Sequence, residues 1–363
     1  MKAIQIERSR ITKILVIKTR AIGDVILSTP VLPNLRREFP SARIDFLVEK
    51  FAAPILAGNP FIDHVISFDA KSQSSLSLIL TVRRNKYDLI IDLLVNPRTA
   101  IITMFSGARF KVGYPFKWRR YAYNILAPSR DGDYHNVDFN LDSLRRNEIP
   151  ITTTQPLFYL DEESENFARE FLQKQNLSKN KFVSIQPSGG WEIKRWKTEK
   201  FAELCRMVRE QLHLEAVVFY GPSERADAER ISSSSNAVLA PQTSLHEMGA
   251  IMRQSLLLIT NDNGPMHIAA TLKVPTLVIY GPTNPRTQGP YGNISEIVRN
   301  EKLDCLECSL TKCPIGNLCM TELAAETVYQ KLVKLISRIE EMKTQGFVSP
   351  QPERLRKDID ENV

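Results

Sequence analysis

The chain has 363 residues, 43% hydrophobic and 25% charged, the balance of a globular protein long enough for two separate cores. No apolar run approaches the ~20 residues that span a bilayer. The opening MKAIQIERSR is charged and lacks the apolar stretch of a secretion signal, so the expected location is the cytoplasm. A net charge of +7 favours an acidic partner, a requirement that nucleic acid, anionic lipid and phosphorylated sugar all meet.

Short runs rich in Ile, Val and Leu punctuate the chain at Ile14–Ile17, Ile44–Val48 and Leu89–Leu94. They recur at Phe182–Ile185, Ala216–Tyr220, Leu256–Thr260 and Thr276–Tyr280. Runs of this kind predict strands buried on both faces, and their alternation with amphipathic stretches predicts right-handed βαβ units in parallel sheets. Phe201, Leu204, Cys205, Val208 and Leu212 follow helical spacing after a cap at Thr198, and Ser244 with Glu247 forms a capping box opening another helix. The pattern starts twice. Polar, β-branched Asn147–Thr154 ends the first set, and a helix over Glu162–Gln175 leads into the second. The expectation is two doubly wound domains, 1–160 and 161–344, facing across a cleft, with ligands at the carboxyl ends of the strands. A helix over Ala324–Met342 closes the fold, and the polar tail 345–363 is expected to be disordered.

In chain order, the first strand runs into Thr19-Arg20-Ala21-Ile22-Gly23-Asp24. Gly23 allows a tight turn, and Asp24 either caps the following helix or offers a carboxylate that accepts an acceptor proton. Phe110–Asn124 holds Lys111, Lys117, Arg119 and Arg120 among six aromatics with no acid. A solvated loop with some core aromatics would look like this, and so would a surface for a phosphorylated sugar lipid or an anionic membrane. Asp131-Gly132-Asp133 matches a DxD metal motif formally, but lies in a polar stretch between elements and is taken as a turn.

In the second half, Ser188-Gly189-Gly190 after a strand exposes N–H groups suited to a diphosphate, with Lys194 and Arg195 nearby to neutralise it. Thr260-Asn261-Asp262-Asn263-Gly264-Pro265-Met266-His267 ends a buried strand, and Pro265 suits a first helical position, leaving amides at a helix N-terminus. His267 falls in the first turn, in reach of a phosphate. Tyr280-Gly281-Pro282-Thr283 repeats the design, making three strand-end glycine turns in one domain. Cys205 stands alone, while Cys305, Cys308, Cys313 and Cys319 are close enough in sequence to surround one tetrahedral ion, a structural zinc or iron. Free thiols and disulfides are the other readings.

TRAIGD, followed by STPVLPNLRREFP, resembles the start of glycosyltransferase family 9, the ADP-heptose:lipopolysaccharide heptosyltransferases. PSGGWEIKRW, NDNGPMHIAA and YGPTNP resemble later segments of that family, in the same order, from residue 13 to about 320. The resemblance implies a GT-B architecture, two Rossmann-like α/β domains, with the acceptor on the first and the nucleotide sugar on the second. It implies Asp24 as general base and Ser188, Gly189 and Lys194 on the donor diphosphate. It places Glu224 near the ribose, Thr243 near the adenine, and Asp262, Gly264, Pro265, Met266 and His267 in the loop holding nucleotide and sugar. Ser188-Gly189 stands where some members have two threonines, and Thr243 where some have an apolar residue.

The implied activity is inverting transfer of a heptose from ADP-heptose to a lipopolysaccharide inner-core acceptor at the cytoplasmic face of the inner membrane, with no catalytic cofactor. Lys111, Lys117, Arg119 and Arg120 would meet the phosphorylated glycolipid, with peripheral membrane contact. Nucleic acid is not an expected partner, because the donor loops of the second domain give it no support. Rival readings keep the catalysis with another nucleotide sugar or a protein or capsule acceptor, or make the chain a sugar-nucleotide epimerase of the same fold, or a sensor without turnover.

Overall fold

The computed structural model describes residues 6–128 and 133–345; Asp131 and Gly132 of the DxD match, and the tail from 346 on, lie outside the described residues. Contacts divide the chain into two units, Met1–Tyr159 and Leu160–Val363.

The first unit is built on six strands, β1 (Lys13–Ile17), β2 (Arg43–Glu49), β3 (His64–Phe68), β4 (Leu89–Asp92), β5 (Phe110–Gly113) and β6 (Ile125–Leu126). They form one parallel sheet in the order β3-β2-β1-β4-β5-β6. β1 is central, with Ile14 in register with Ile44 of β2 and Leu89 of β4, and Ile14–Ile17 are fully buried. Five helices cover the sheet: α1 (Ile22–Ser28), α2 (Val31–Glu38), α3 (Ser75–Asn85), α4 (Pro97–Phe105) and α5 (Asn136–Arg145).

The second unit repeats the plan with β7 (Phe182–Gln186), β8 (Glu215–Val218), β9 (Val238–Leu239), β10 (Leu258–Asn261), β11 (Thr276–Ile279) and β12 (Ser295–Val298), in the parallel order β12-β11-β10-β7-β8-β9. Its helices include α6 (Glu162–Lys174), α7 (Thr198–Leu212), α8 (Arg225–Ser235), α9 (Leu245–Gln254), α10 (Gly264–Thr271) and a closing helix, Ala325–Thr344. The closing helix sets Val328, Leu332 and Leu335 into a core shared with Phe201, Leu204 and Val208 of α7. Trp196 anchors the start of α7: its ring meets Phe201 edge-on, and its indole N–H donates to the Leu323 carbonyl at 2.9 Å. Among the described residues, no helix is long and apolar enough to cross a membrane.

Each expected apolar run is a strand, but β3, β5, β6, β9 and β12 carry no such run. Four of these five are edge strands, with a neighbour on one side alone; β3 exposes its first and fourth residues, and β6 and β9 are two residues long. The α7 cap differs as well. Lys197 is the extended N-cap residue and Thr198 the first helical one, with no side-chain cap. At α9 the capping box is made: Ser244 Oγ accepts from the Glu247 amide at 3.2 Å, and Glu247 Oε2 from the Ser244 amide at 2.6 Å, an arrangement that contributes about 1 kcal/mol.

The four-thiolate metal site is not assembled: among the described residues, no three His, Cys, Asp or Glu side chains are arranged to hold an ion. All four cysteines of the cluster are free thiols, split between surface and interior. Cys305 and Cys308 sit on an exposed turn, Cys313 accepts from the Asn317 amide at 3.2 Å, and Cys319 is buried with its thiol directed at Asn317 Oδ1. Burial, and then the three neighbouring thiols, push the Cys319 thiol up to about 11. This segment presses on the turn after β11. Glu307 N–H donates to the Gly281 carbonyl at 3.2 Å and Ser309 N–H to that of Pro282 at 2.7 Å. A Cβ on Gly281 would lie 2.7 Å from Cys319 Sγ and 2.8 Å from Met320 Sδ.

Two outcomes are expected. At pH 8 a thiol reagent labels Cys305 and Cys308 rapidly, while Cys319 and Cys205, the latter pushed up to about 12 by burial, react only on unfolding. A native protein with unreactive Cys305 and Cys308 and one equivalent of zinc or iron by elemental analysis contradicts this arrangement. Gly281→Ala lowers unfolding stability by about 1–3 kcal/mol in denaturant titration, since the sulfur atoms must shift.

Candidate active site

In the first unit the chain adds β2 and β3 on one side of β1, then β4, β5 and β6 on the other. The connections after β1 and β4 therefore diverge and leave a crevice at their carboxyl ends, where ligands of doubly wound sheets bind. Asp24 stands at this point, in the first turn of α1 after β1, and is partly exposed. Its Oδ2 accepts from the Ala21 amide at 3.1 Å, so Asp24 does cap α1. Its Oδ1 accepts from Asn136 Nδ2, at the start of α5, at 3.3 Å. A carboxylate has about four acceptor directions, so two bonds orient it and leave capacity for a hydroxyl proton. The two readings of Asp24 are compatible.

Beneath it lies a polar cluster that sequence reasoning did not pick out. Lys18, 5% exposed, directly follows β1 and donates to the Leu93 carbonyl at 3.0 Å. Burial lowers the pKa of its ammonium, while the carboxylates of Asp24 and Asp92 oppose that shift. Asp92 ends β4, fully buried, and accepts from the Leu94 and Val95 amides and from Tyr123 Oη at 2.7 Å. Burial raises its carboxyl pKa against those bonds. A cavity of about 310 Å³ opens beside this cluster, lined by Thr19, Arg20, Glu49, Phe68, Asn96 and Arg98 among others. The Arg98 guanidinium lies 5.0 Å over the Phe68 ring and donates to the Ala70 carbonyl at 3.1 Å.

The basic segment is placed differently from Asp24. Lys111 is half-buried in β5, two strands from β1, while Lys117, Arg119 and Arg120 ride on a 3-10 turn, Lys117–Ala122, that follows β5. Of its six aromatics, Phe110, Tyr114 and Tyr123 are buried, whereas Phe116, Trp118 and Tyr121 are exposed. The segment thus divides into inward aromatics that belong to the core and outward ones on the surface.

In the second unit the switch point falls between β7 and β10. The loops after these strands are tied together. Asn261 Nδ2 donates to the Pro187 carbonyl at 2.6 Å, and Asn263 Nδ2 to that of Ser188 at 2.8 Å. Asn263 also caps α10, accepting from the Met266 amide at 3.0 Å, with Pro265 in the first turn. Gly264, Pro265, Met266 and His267 thus form the first turn of α10, where backbone amides and the helix dipole favour an anion; Met266 and His267 are buried.

Lys194 and Arg195 are not idle cations waiting for a diphosphate. Lys194 Nζ meets Asp262 Oδ2 at 2.6 Å and lies 4.7 Å over the Trp191 ring. Thr283 Oγ1, after β11, donates to the same Asp262 oxygen at 2.6 Å. Arg195 pairs with Glu224 at 3.0 Å and donates to the Gly189 carbonyl at 2.9 Å, and Glu224 also accepts from the Gly221 amide at 3.1 Å. The structure therefore places Ser188 with Asn263 and the α10 turn, Gly189 with Arg195 and Glu224, and Lys194 with Asp262 and Thr283 in hydrogen-bonded sets that adjoin along the chain. Thr243, two strands out in the loop before α9, is half-exposed and makes no contact with those sets among the bonds of the described residues. Sequence reasoning quoted Thr283 within its glycine turn but gave it no role; a hydroxyl two residues past a strand-end glycine was the signal.

Lipopolysaccharide heptosyltransferase 3 of Escherichia coli K12 is 29% identical over 286 residues, 72% of this chain and 80% of that protein. Among solved structures, a family 9 glycosyl transferase from Veillonella parvula superposes with a TM-score of 0.78 at 25% identity, covering 90% of this chain and 97% of that one. E. coli ADP-heptose lps heptosyltransferase II gives 0.71 at 20% identity over 91% and 100%, a likeness of fold. Residues 75–319, more than half of the chain, match glycosyltransferase family 9 (heptosyltransferase). The chain belongs to that family and is a glycosyltransferase.

Proposed function

We propose that the chain moves a heptose from ADP-heptose to a lipopolysaccharide inner-core sugar, with inversion, at the cytoplasmic face of the inner membrane. The observation that carries this reading is the Asp24 carboxylate at the first sheet's switch point, oriented by Ala21 and Asn136 with acceptor capacity left over. In the proposed step Asp24 takes the proton of an acceptor hydroxyl as its oxygen bonds to the anomeric carbon. The bond from that carbon to the diphosphate oxygen breaks, and ADP leaves with the electron pair. No cofactor enters the displacement. On the second unit the α10 turn, Ser188, Gly189 and Lys194 stabilise the leaving diphosphate. Lys194 serves without giving up Asp262, because an ammonium has three donors. Glu224 and Thr243 lie after neighbouring strands β8 and β9 and are assigned to ribose and adenine; Asp262 is assigned to the sugar. Lys111, Lys117, Arg119 and Arg120 are assigned to the phosphorylated glycolipid.

The names of the relatives support this choice of substrates, ADP-heptose for the E. coli enzyme II and lipopolysaccharide for the heptosyltransferase 3. The test is calorimetry with a panel of ADP- and UDP-sugars, followed by mass analysis of products with an acyl-free inner-core acceptor. An epimerase would convert the donor without acceptor; another family specificity would show as tighter binding of a different donor.

Asp24→Asn is expected to lower turnover about 10²–10⁴-fold with the donor Kd unchanged; near-normal turnover leaves Asp24 only its capping bond. Lys194→Ala and His267→Ala are each expected to weaken ADP binding by about 1–3 kcal/mol, the range for charge-assisted hydrogen bonds. Unchanged affinity in both variants removes the donor assignment.

A further inference from the structure

One side of the first unit carries an exposed apolar and basic surface that runs from α3 to the Lys117–Ala122 turn, the turn whose cations are assigned to the acceptor. α3 and α4 pack together on one face of the first sheet, setting Leu78 and Val82 of α3 and Ile102 of α4 against Leu15, Ile17 and Ile90. α4 also packs on the Lys117–Ala122 turn, so three elements follow one another across this side. On α3, Leu76 and Leu80 are 64% and 43% exposed, and one turn further on Arg83 continues their stripe, opposite buried Leu78 and Val82. At the end of α4, Phe105 is 52% exposed, and Arg83 donates to its carbonyl at 3.3 Å. On the turn, Trp118 and Tyr121 are 49% and 76% exposed.

Charge separates this side from ordinary surface. Between Ala70 and Pro128 the sequence has ten Lys or Arg and two acids, Asp88 and Asp92. Asp92 is buried, and Asp88 is occupied by the Thr12 and Lys13 amides. Arg109 pairs with Glu7 at 2.5 Å, while Arg83, Arg84, Arg119 and Arg120 have no ion pair among the described residues. A single exposed leucine means nothing. Leucines, a phenylalanine, a tryptophan and a tyrosine set among cations that have no ion pair among the described residues suit a bilayer interface, with apolar groups among acyl chains and cations at the phosphates. Nucleic acid would use the cations and aromatics but has no partner for Leu76 and Leu80.

We propose that this side, α3, the end of α4 and the Lys117–Ala122 turn, docks on an anionic lipid bilayer. The inference deepens the reading of a lipid-linked acceptor, yet it is testable without one. The full chain is floated with phosphatidylglycerol–phosphatidylethanolamine vesicles lacking any acceptor, and with phosphatidylcholine vesicles. It binds the anionic vesicles and not the neutral ones, loses that binding in high salt, and shows blue-shifted tryptophan emission that Trp118→Phe abolishes. The Leu76→Ser, Leu80→Ser, Phe105→Ser triple variant binds at least tenfold more weakly (~10-fold or more for three apolar anchors). Arg83→Gln with Arg84→Gln weakens binding roughly 25-fold, at about fivefold per cation. The variants keep the wild-type unfolding temperature, and turnover on a soluble acyl-free acceptor reports separately on the catalytic reading. Equal binding to neutral vesicles, no binding, or unchanged binding by both variants overturns the proposal. So does a wild-type dimer that becomes a monomer in the triple variant without vesicle binding by either, which makes the side a self-contact.

Discussion

A parallel sheet that grows first to one side of its opening strand and then to the other must leave two adjacent strands whose following chains depart in opposite directions. Here that constraint acts twice, between β1 and β4 and between β7 and β10. At such a point the backbone groups at the strand ends face an opening instead of a helix, and side chains in the departing loops can approach a ligand without displacing core. Asp24 and Asp92 fall at the first opening; Ser188, Lys194 and Asp262 fall at the second. Because the strands are parallel and buried on both faces, their register is fixed by packing. Each loop inherits a defined position from the strand before it.

What the topology opens, buried polar groups hold in shape. In the second unit Asn261 and Asn263 bind one loop to the other through carbonyls of Pro187 and Ser188. The Lys194–Asp262 pair is mostly shielded from solvent, with side chains 16% and 8% exposed. Breaking a pair of this kind costs several kcal/mol, because the abandoned charge stays buried. Exposed pairs such as Arg225–Glu229, 65% and 48% exposed, contribute at most about 1 kcal/mol. In the proposed donor site, a diphosphate would therefore add to the pair more readily than replace it. In the first unit Lys18 and Asp92 play a similar part: both are buried, Lys18 donating to the Leu93 carbonyl, and Asp92 accepting from the Leu94 and Val95 amides after β4 and from Tyr123 Oη.

The sequence made the central strands legible because burial on both faces demands continuous apolar runs, as in Ile14–Ile17 and Leu258–Thr260. Edge strands obey a weaker demand. His64–Phe68 exposes its first and fourth residues, and Ser295–Val298 buries one of four. Neither differs from loop by periodicity alone. Asp24, Lys194 and Asp262 stood out in the sequence because each follows a buried strand within a few residues of a glycine. Asn136 and Asp92 did not, since Asn136 reaches Asp24 across 112 residues and Asp92 looks like the polar end of an apolar run. The cysteines show the opposite failure. Their spacing allowed a tetrahedral site, but spacing does not fix whether a cysteine is exposed, as Cys308 is, or buried, as Cys319 is.

Phe110–Asn124 shows why composition alone left two readings open there. The inward aromatics are fastened by their polar tips: Tyr114 Oη donates to the Phe139 carbonyl and Tyr123 Oη to Asp92. Those bonds satisfy hydroxyls that burial would otherwise leave costly. They also pin the segment to the floor of the first crevice. Phe116, Trp118 and Tyr121 lie between the pinned points and face outward. Gly113 permits this close packing, since a Cβ there would sit 2.5 Å from the Tyr123 ring. The outward residues can therefore change chemistry without moving Asp92, and the inward ones cannot. A single fifteen-residue stretch is thus both part of the support for Asp24's surroundings and part of the outer surface, and the two duties fall on alternate sets of side chains.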